Sequence, residues 1–115
     1  MSESIREIIA QKALLLRDVD TLGPGKAAEE LVALSSILSS LNKEISDCRY
    51  WFNLKRLGLL KEHGSFTKAT VYAEASQEYK DWKDREVQKD AVVEMIRSVK
   101  YYLRGAEQEM KESKY

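Results

Sequence analysis

Leu31, Leu34, Leu38, Leu41, Ile45, Cys48 and Phe52 recur at alternating steps of three and four along a stretch without proline. This is a heptad stripe, the pattern by which one helix packs lengthwise against another. A stripe of this length requires a partner of similar length, and the segment from about 67 to 112 offers one within the chain. It carries Tyr72, Ala75, Tyr79 and Trp82 on one stripe, then Val92, Ile96, Val99, Leu103, Ala106 and Met110 on another. Between them runs a charged stretch, Lys83 to Asp90, whose one apolar residue is Val87. The two stripes fall out of register across it, which predicts a stammer, a bend or an exposed middle segment there. Lys80–Asp84 and Asp81–Arg85 stand at supportive helical spacing.

Local signals set the boundaries. Ser4-Ile5-Arg6-Glu7 has the spacing of a capping box, so a helix is expected over about 4–19, with Ile5, Ile8, Ile9, Leu15, Leu16 and Val19 on its apolar face. Thr21-Leu22-Gly23-Pro24-Gly25 stops it, since proline lacks a backbone donor and glycine permits turn dihedrals. The second helix is expected over about 26–62, near 55 Å at about 1.5 Å per residue. Ser35, Ser36, Ser39 and Ser40 on it form either a close-approach surface or a solvated face. Gly58 weakens its last turns by about 1 kcal/mol relative to alanine. His63-Gly64-Ser65 reads as a C-cap followed by an N-cap, giving a turn over 63–66 and a third helix over about 67–112. A connection this short makes the two long helices antiparallel neighbours. His63 suits the negative end of a helix dipole.

The expected fold is therefore a single all-α domain spanning 1–115, a long antiparallel, coiled-coil-like helical hairpin with a short N-terminal helix. Glycine (5) and proline (1) are too few for a many-stranded β fold, and 43% hydrophobic residues are too many for disorder. Two long helices and a short one bury a thin core, so the stripes are expected to serve both core and self-association. The residues in question are Leu31, Leu34, Leu38, Leu41, Ile45, Phe52, Tyr79, Trp82, Ile96, Val99 and Leu103. The chain is accordingly expected to be a homo-oligomer.

Catalytic constellations are missing from the pattern. One cysteine and one histidine supply neither a zinc ligand set nor a convincing Cys–His pair. Gly23-Pro24-Gly25-Lys26 lacks the spacing and the preceding strand of a phosphate loop. Acid pairs such as Glu29 with Glu30, or Glu107 with Glu109, are ordinary charged helix surface. No enzyme activity, cofactor or metal is expected. Cys48 falls on the apolar stripe and reads as a buried, reduced thiol. No run approaches the ~18 apolar residues that span a bilayer, and charges stand where a signal peptide needs its apolar core. The expectation is a cytoplasmic protein without a membrane partner.

Binding chemistry is better represented. Positively and negatively charged residues balance at 19 each, so attraction to an anionic partner must come from local clusters. Between positions 49 and 61, Arg49, Lys55, Arg56 and Lys61 occur with no acidic residue, interleaved with Tyr50, Trp51 and Phe52. Arg97, Lys100, Tyr101 and Arg104 follow three- and four-residue steps and share a helical face. Basic groups beside aromatic rings suit single-stranded nucleic acid, where phosphates pair with Lys or Arg and bases stack on rings. The competing assignment is that Trp51, Phe52 and Tyr102 are core and the basic stems merely cover apolar surface.

The basic-aromatic second helix is followed by Lys68-Ala69-Thr70-Val71-Tyr72-Ala73-Glu74-Ala75. Ile96-Arg97-Ser98-Val99-Lys100-Tyr101-Tyr102-Leu103-Arg104 then precedes an acidic end. Over roughly residues 27–112 this arrangement resembles small helical proteins of tailed phages, in particular the recombination mediators of T4-type phages. The resemblance implies an oligomeric, non-enzymatic protein of the host cytoplasm that binds single-stranded DNA and helps load a recombinase. It implies phosphate contacts from Arg49, Lys55, Arg56, Arg97, Lys100 and Arg104, with Tyr50 and Tyr101 as stacking rings; Lys61 extends the first basic patch. The alternative is a protein-interaction module, an inhibitor of a host factor or a structural spacer, that binds no nucleic acid.

Overall fold

The computed structural model describes residues 4–113. Among them are four α-helices, α1 (Ile5–Leu16), α2 (Pro24–His63), α3 (Phe66–Glu74) and α4 (Gln77–Ser113), with a 3-10 turn at Val19–Thr21 and no strand. The all-α class expected from the pattern is the observed one.

The boundaries follow from capping chemistry, and three differ from expectation. The Glu7 amide donates to Ser4 Oγ at 3.2 Å and starts α1, which ends at Leu16 rather than 19. The chain then tightens into the 3-10 turn, where the Thr21 hydroxyl donates to the Asp18 carbonyl at 2.7 Å. Pro24 does not sit in the turn; it is the first residue of α2, where its fixed φ is helical and its missing N–H is not needed. The turn itself falls on Gly23, whose φ of 83° is left-handed. At the far end of α2, Gly64 takes φ 68° and its amide donates to the Leu60 carbonyl at 2.8 Å. Ser65 then caps α3 by accepting from the Lys68 amide.

The largest correction concerns the expected third helix of 67–112. It is two helices, broken at Ala75–Ser76 and not in the charged run. The Ser76 hydroxyl donates to the Ala73 carbonyl and accepts from the Tyr79 amide at 3.4 Å, so one serine closes α3 and opens α4. Lys83 to Asp90 lie within unbroken α4, and most of them are half-buried rather than solvated. Arg85 reaches toward Glu44 of α2 at 4.0 Å and contacts Asp84 at 3.5 Å.

The chain divides into two compact units. One combines the described residues up to Ser39 with those from Asp90 onward. Its buried residues come from α1 (Ile9, Leu16), α2 (Ala27, Leu34) and α4 (Val92, Ile96, Val99). Glu30, expected among the surface acids, is buried here and pairs with Lys12 of α1 at 2.8 Å. The other unit comprises residues 40–89, with Leu41, Ile45 and Phe52 of α2 and Ala69 and Ala73 of α3 buried. Leu31, Leu38, Tyr79, Trp82 and Leu103 are half-buried within their own units, whereas Ser35, Ser36, Ser39 and Ser40 are exposed.

Leu34 and Val32 lie in the same turn of α2 with opposite environments, one fully buried and one 72% exposed. Leu34→Ala is expected to lower the unfolding free energy by about 2–5 kcal/mol. Val32→Ala should change it by less than about 0.5 kcal/mol. Urea titrations of both variants, followed by circular dichroism, check the contrast.

Candidate nucleic-acid interface

Two groups of basic and aromatic residues, one in each unit, were singled out by the sequence. In the unit of residues 40–89, a cluster of three rings forms the aromatic part of the core. Phe52 lies 5.5 Å from Tyr79 and 5.3 Å from Trp82, centroid to centroid, and Tyr79 meets Trp82 edge-on at 6.0 Å. Cations cover these rings. Arg49 stands 5.5 Å from the Trp82 ring, Lys83 stands 4.4 Å from it, and Arg56 lies 5.7 Å from Phe52 and 5.0 Å from Phe66. Arg56 also donates to Asn53 at 3.1 Å. Each such contact is worth about 0.5–1 kcal/mol at exposed sites and more where desolvated. Arg49 and Arg56 therefore serve the fold, a role their place in a basic run does not reveal.

Neighbouring side chains take the opposite direction. Tyr50 and Trp51 are each 58% exposed and pack edge-on at 5.5 Å. Lys55 and Lys61 are exposed. Trp51, weighed as core alongside Phe52, is thus a surface residue: adjacent helical positions differ by about 100°, and only one of the two can face inward. His63 stacks on Tyr72 at 4.5 Å.

The second group belongs to the other unit. Arg97, Lys100, Tyr101 and Arg104 are all exposed along one face of α4, and Tyr101 presents 82% of its surface. Arg97 is in an ion pair with Glu94 at 2.6 Å, but both side chains are largely solvated, so the pair contributes little and can be exchanged. Half-buried Tyr102 lines a groove of about 1160 Å³ together with Val19, Pro24, Ala106 and Met110, and Arg97 and Tyr101 of the basic face border the same groove.

Cys48 is half-buried rather than fully enclosed, beside a cavity of about 210 Å³ lined by Trp51, Glu78 and Asp81. Among the described residues no group of three or more His, Cys, Asp or Glu side chains is placed to hold a metal ion. No helix there is long and apolar enough to cross a membrane. No family model, curated protein or solved structure matches the chain.

Burial pushes the Cys48 thiol above its usual pKa; Asp81, Glu44 and Asp47 add to the shift and Arg85 opposes it. A raised pKa leaves less thiolate at any given pH, and thiolate is the reactive form. At mildly alkaline pH, Cys48 should alkylate with iodoacetamide more slowly in the folded protein than in urea, as a mass-spectrometric time course would show.

Proposed function

We propose that this chain is a non-enzymatic accessory protein that self-associates and holds single-stranded DNA along the exposed face of α4. In this reading its long helices form an antiparallel hairpin. The pairings in the unit of residues 40–89 support that geometry: positions on α2 rise from Glu44 through Arg49 to Phe52 as their partners on α4 fall from Arg85 through Trp82 to Tyr79. The resemblance to recombination mediators of T4-type phages suggests the same class of work, in the cytoplasm of an infected host.

The observation that carries the proposal is the combination of Tyr101, almost fully exposed, with Arg97, Lys100 and Arg104 on either side of it. An exposed ring offers a base a stacking surface, and three cations within about 10 Å of helix offer phosphate contacts. The basic residues of α2 support it less, because Arg49 and Arg56 already cover rings. A protein-binding role is favoured by the groove beside Tyr102, where apolar Val19, Pro24 and Met110 join Arg97 and Tyr101 of the basic face.

Fluorescence anisotropy with a labelled oligonucleotide tests the DNA proposal. Three phosphate contacts give a slope of log affinity against log salt of about −2 for a single strand. Tyr101→Ala should cost about 1–3 kcal/mol, and charge reversal of Arg97, Lys100 and Arg104 together should abolish retention. Affinity that ignores salt, or survives the triple reversal, overturns it.

A further inference from the structure

The core stripe of α2 has a counterpart on the opposite side of the same helix. Asp47, Tyr50, Leu54, Leu57 and Lys61 follow strict steps of three, four, three and four, about half a turn from Leu41, Ile45 and Phe52. Among the described residues this second seam stays largely uncovered. Tyr50 is 58% exposed, Leu54 42% and Leu57 55%, and Trp51 flanks them at 58%. Solvent-facing helical positions are usually charged, so a contiguous apolar seam of this length marks a contact surface.

The order of residues along the seam identifies the occupant. Within this span Asp47 is acidic and Lys61 basic, with Leu54 midway between them, and exposed Lys43 continues the stripe one step before Asp47. Two copies laid antiparallel about a two-fold axis at Leu54 would set Asp47 against Lys61 twice. They would also set Tyr50 against Gly58, Trp51 against Leu57, and Leu54 against itself. A parallel pair would instead oppose like charges at both ends. Gly58 is compatible with the same arrangement, since a Cβ there, as at each of the other glycines, would meet nothing within 4 Å. Across a two-fold axis, its bare backbone leaves room for the facing Tyr50 ring. We infer that the protein forms an antiparallel homodimer through the Asp47–Lys61 seam of α2, with a second copy of the chain as occupant. Such an interface is isologous, the commonest form of self-association. Extending over about 21 Å of helix with three apolar positions, it is a short contact, so the dimer should respond to concentration.

This inference rests on the self-association part of the proposed function and not on its DNA part, and its test contains no nucleic acid. Sedimentation velocity of the full chain across the micromolar range should show monomer giving way to dimer. Leu54→Lys should hold the protein monomeric while leaving its helical circular dichroism unchanged, because the side chain lies outside the core. Asp47→Lys and Lys61→Asp should each weaken dimerisation about tenfold through two repulsive pairs, and the double swap should recover it. A wild-type chain that stays monomeric at every concentration overturns the inference, as does an oligomer indifferent to Leu54→Lys. Failure of the double swap to recover the dimer overturns the antiparallel register.

Discussion

The structure depends on covering one side of α2. A helix with leucine at positions 34 and 41, both fully buried, has no stable existence as a solvated element, because in proteins helical stability comes mainly from packing an apolar face. In the unit containing the chain's first helix, that cover comes with buried Val92, Ile96 and Val99 of α4 and Ile9 and Leu16 of α1. In the unit of residues 40–89 it comes with α3 and with the rings of Tyr79 and Trp82 against Phe52. Small residues matter as much as large ones: Ala27, Ala69 and Ala73 are completely buried, and a larger side chain at any of them would have to displace a neighbour.

Polar contacts then fix what apolar burial leaves loose. Glu30 is a buried carboxylate tied to Lys12 at 2.8 Å, with Lys26 at 3.9 Å. Removing one partner of such a pair strands a charge, whereas removing both need cost little. Its value lies in register, since hydrophobic faces tolerate sliding and an ion pair does not. The cations over Phe52, Tyr79 and Trp82 act similarly in the other unit, covering the rings of the aromatic cluster.

Much of this was legible in the sequence because period reveals a helix face. Leu34, Leu41, Ile45 and Phe52 announce their burial by spacing alone, and Ser4 and Gly64 announce helix ends by well-defined chemistry. The break at Ala75–Ser76 was harder to see. Ala75 is a strong helix former, and the signal was one serine followed by Gln77 and Glu78, an N-cap with an acid in the first turn. The out-of-register stripes point to an interruption in the charged run, yet α4 passes through that run unbroken, and the break falls inside the first stripe, with Tyr72 in α3, Ala75 as its C-cap and Tyr79 and Trp82 in α4. Pro24 is ambiguous in sequence because proline both ends helices and begins them. Glu30 was hidden for another reason: nothing local distinguishes it from Glu29, and only the return of α1 brings Lys12 to it.

The basic residues show most clearly how a sequence cluster and a functional surface differ. Counting charges groups Arg49, Lys55, Arg56 and Lys61 together, yet the structure divides them: two cover rings, and two reach solvent beside an exposed apolar seam. On α4 the three basic residues around Tyr101 share one role, since all are exposed on one face. Desolvation decides the matter. A guanidinium held over a buried ring would have to give up that contact to meet a phosphate, whereas Lys100 and Arg104 need give up little more than water. If anions are bound, α4 is therefore the less costly place to bind them. The opposite side of α2, apolar at its centre and oppositely charged at its ends, is better suited to another helix than to a polyanion. On this division of labour α2 would associate and α4 would bind, each with the face its own packing leaves free.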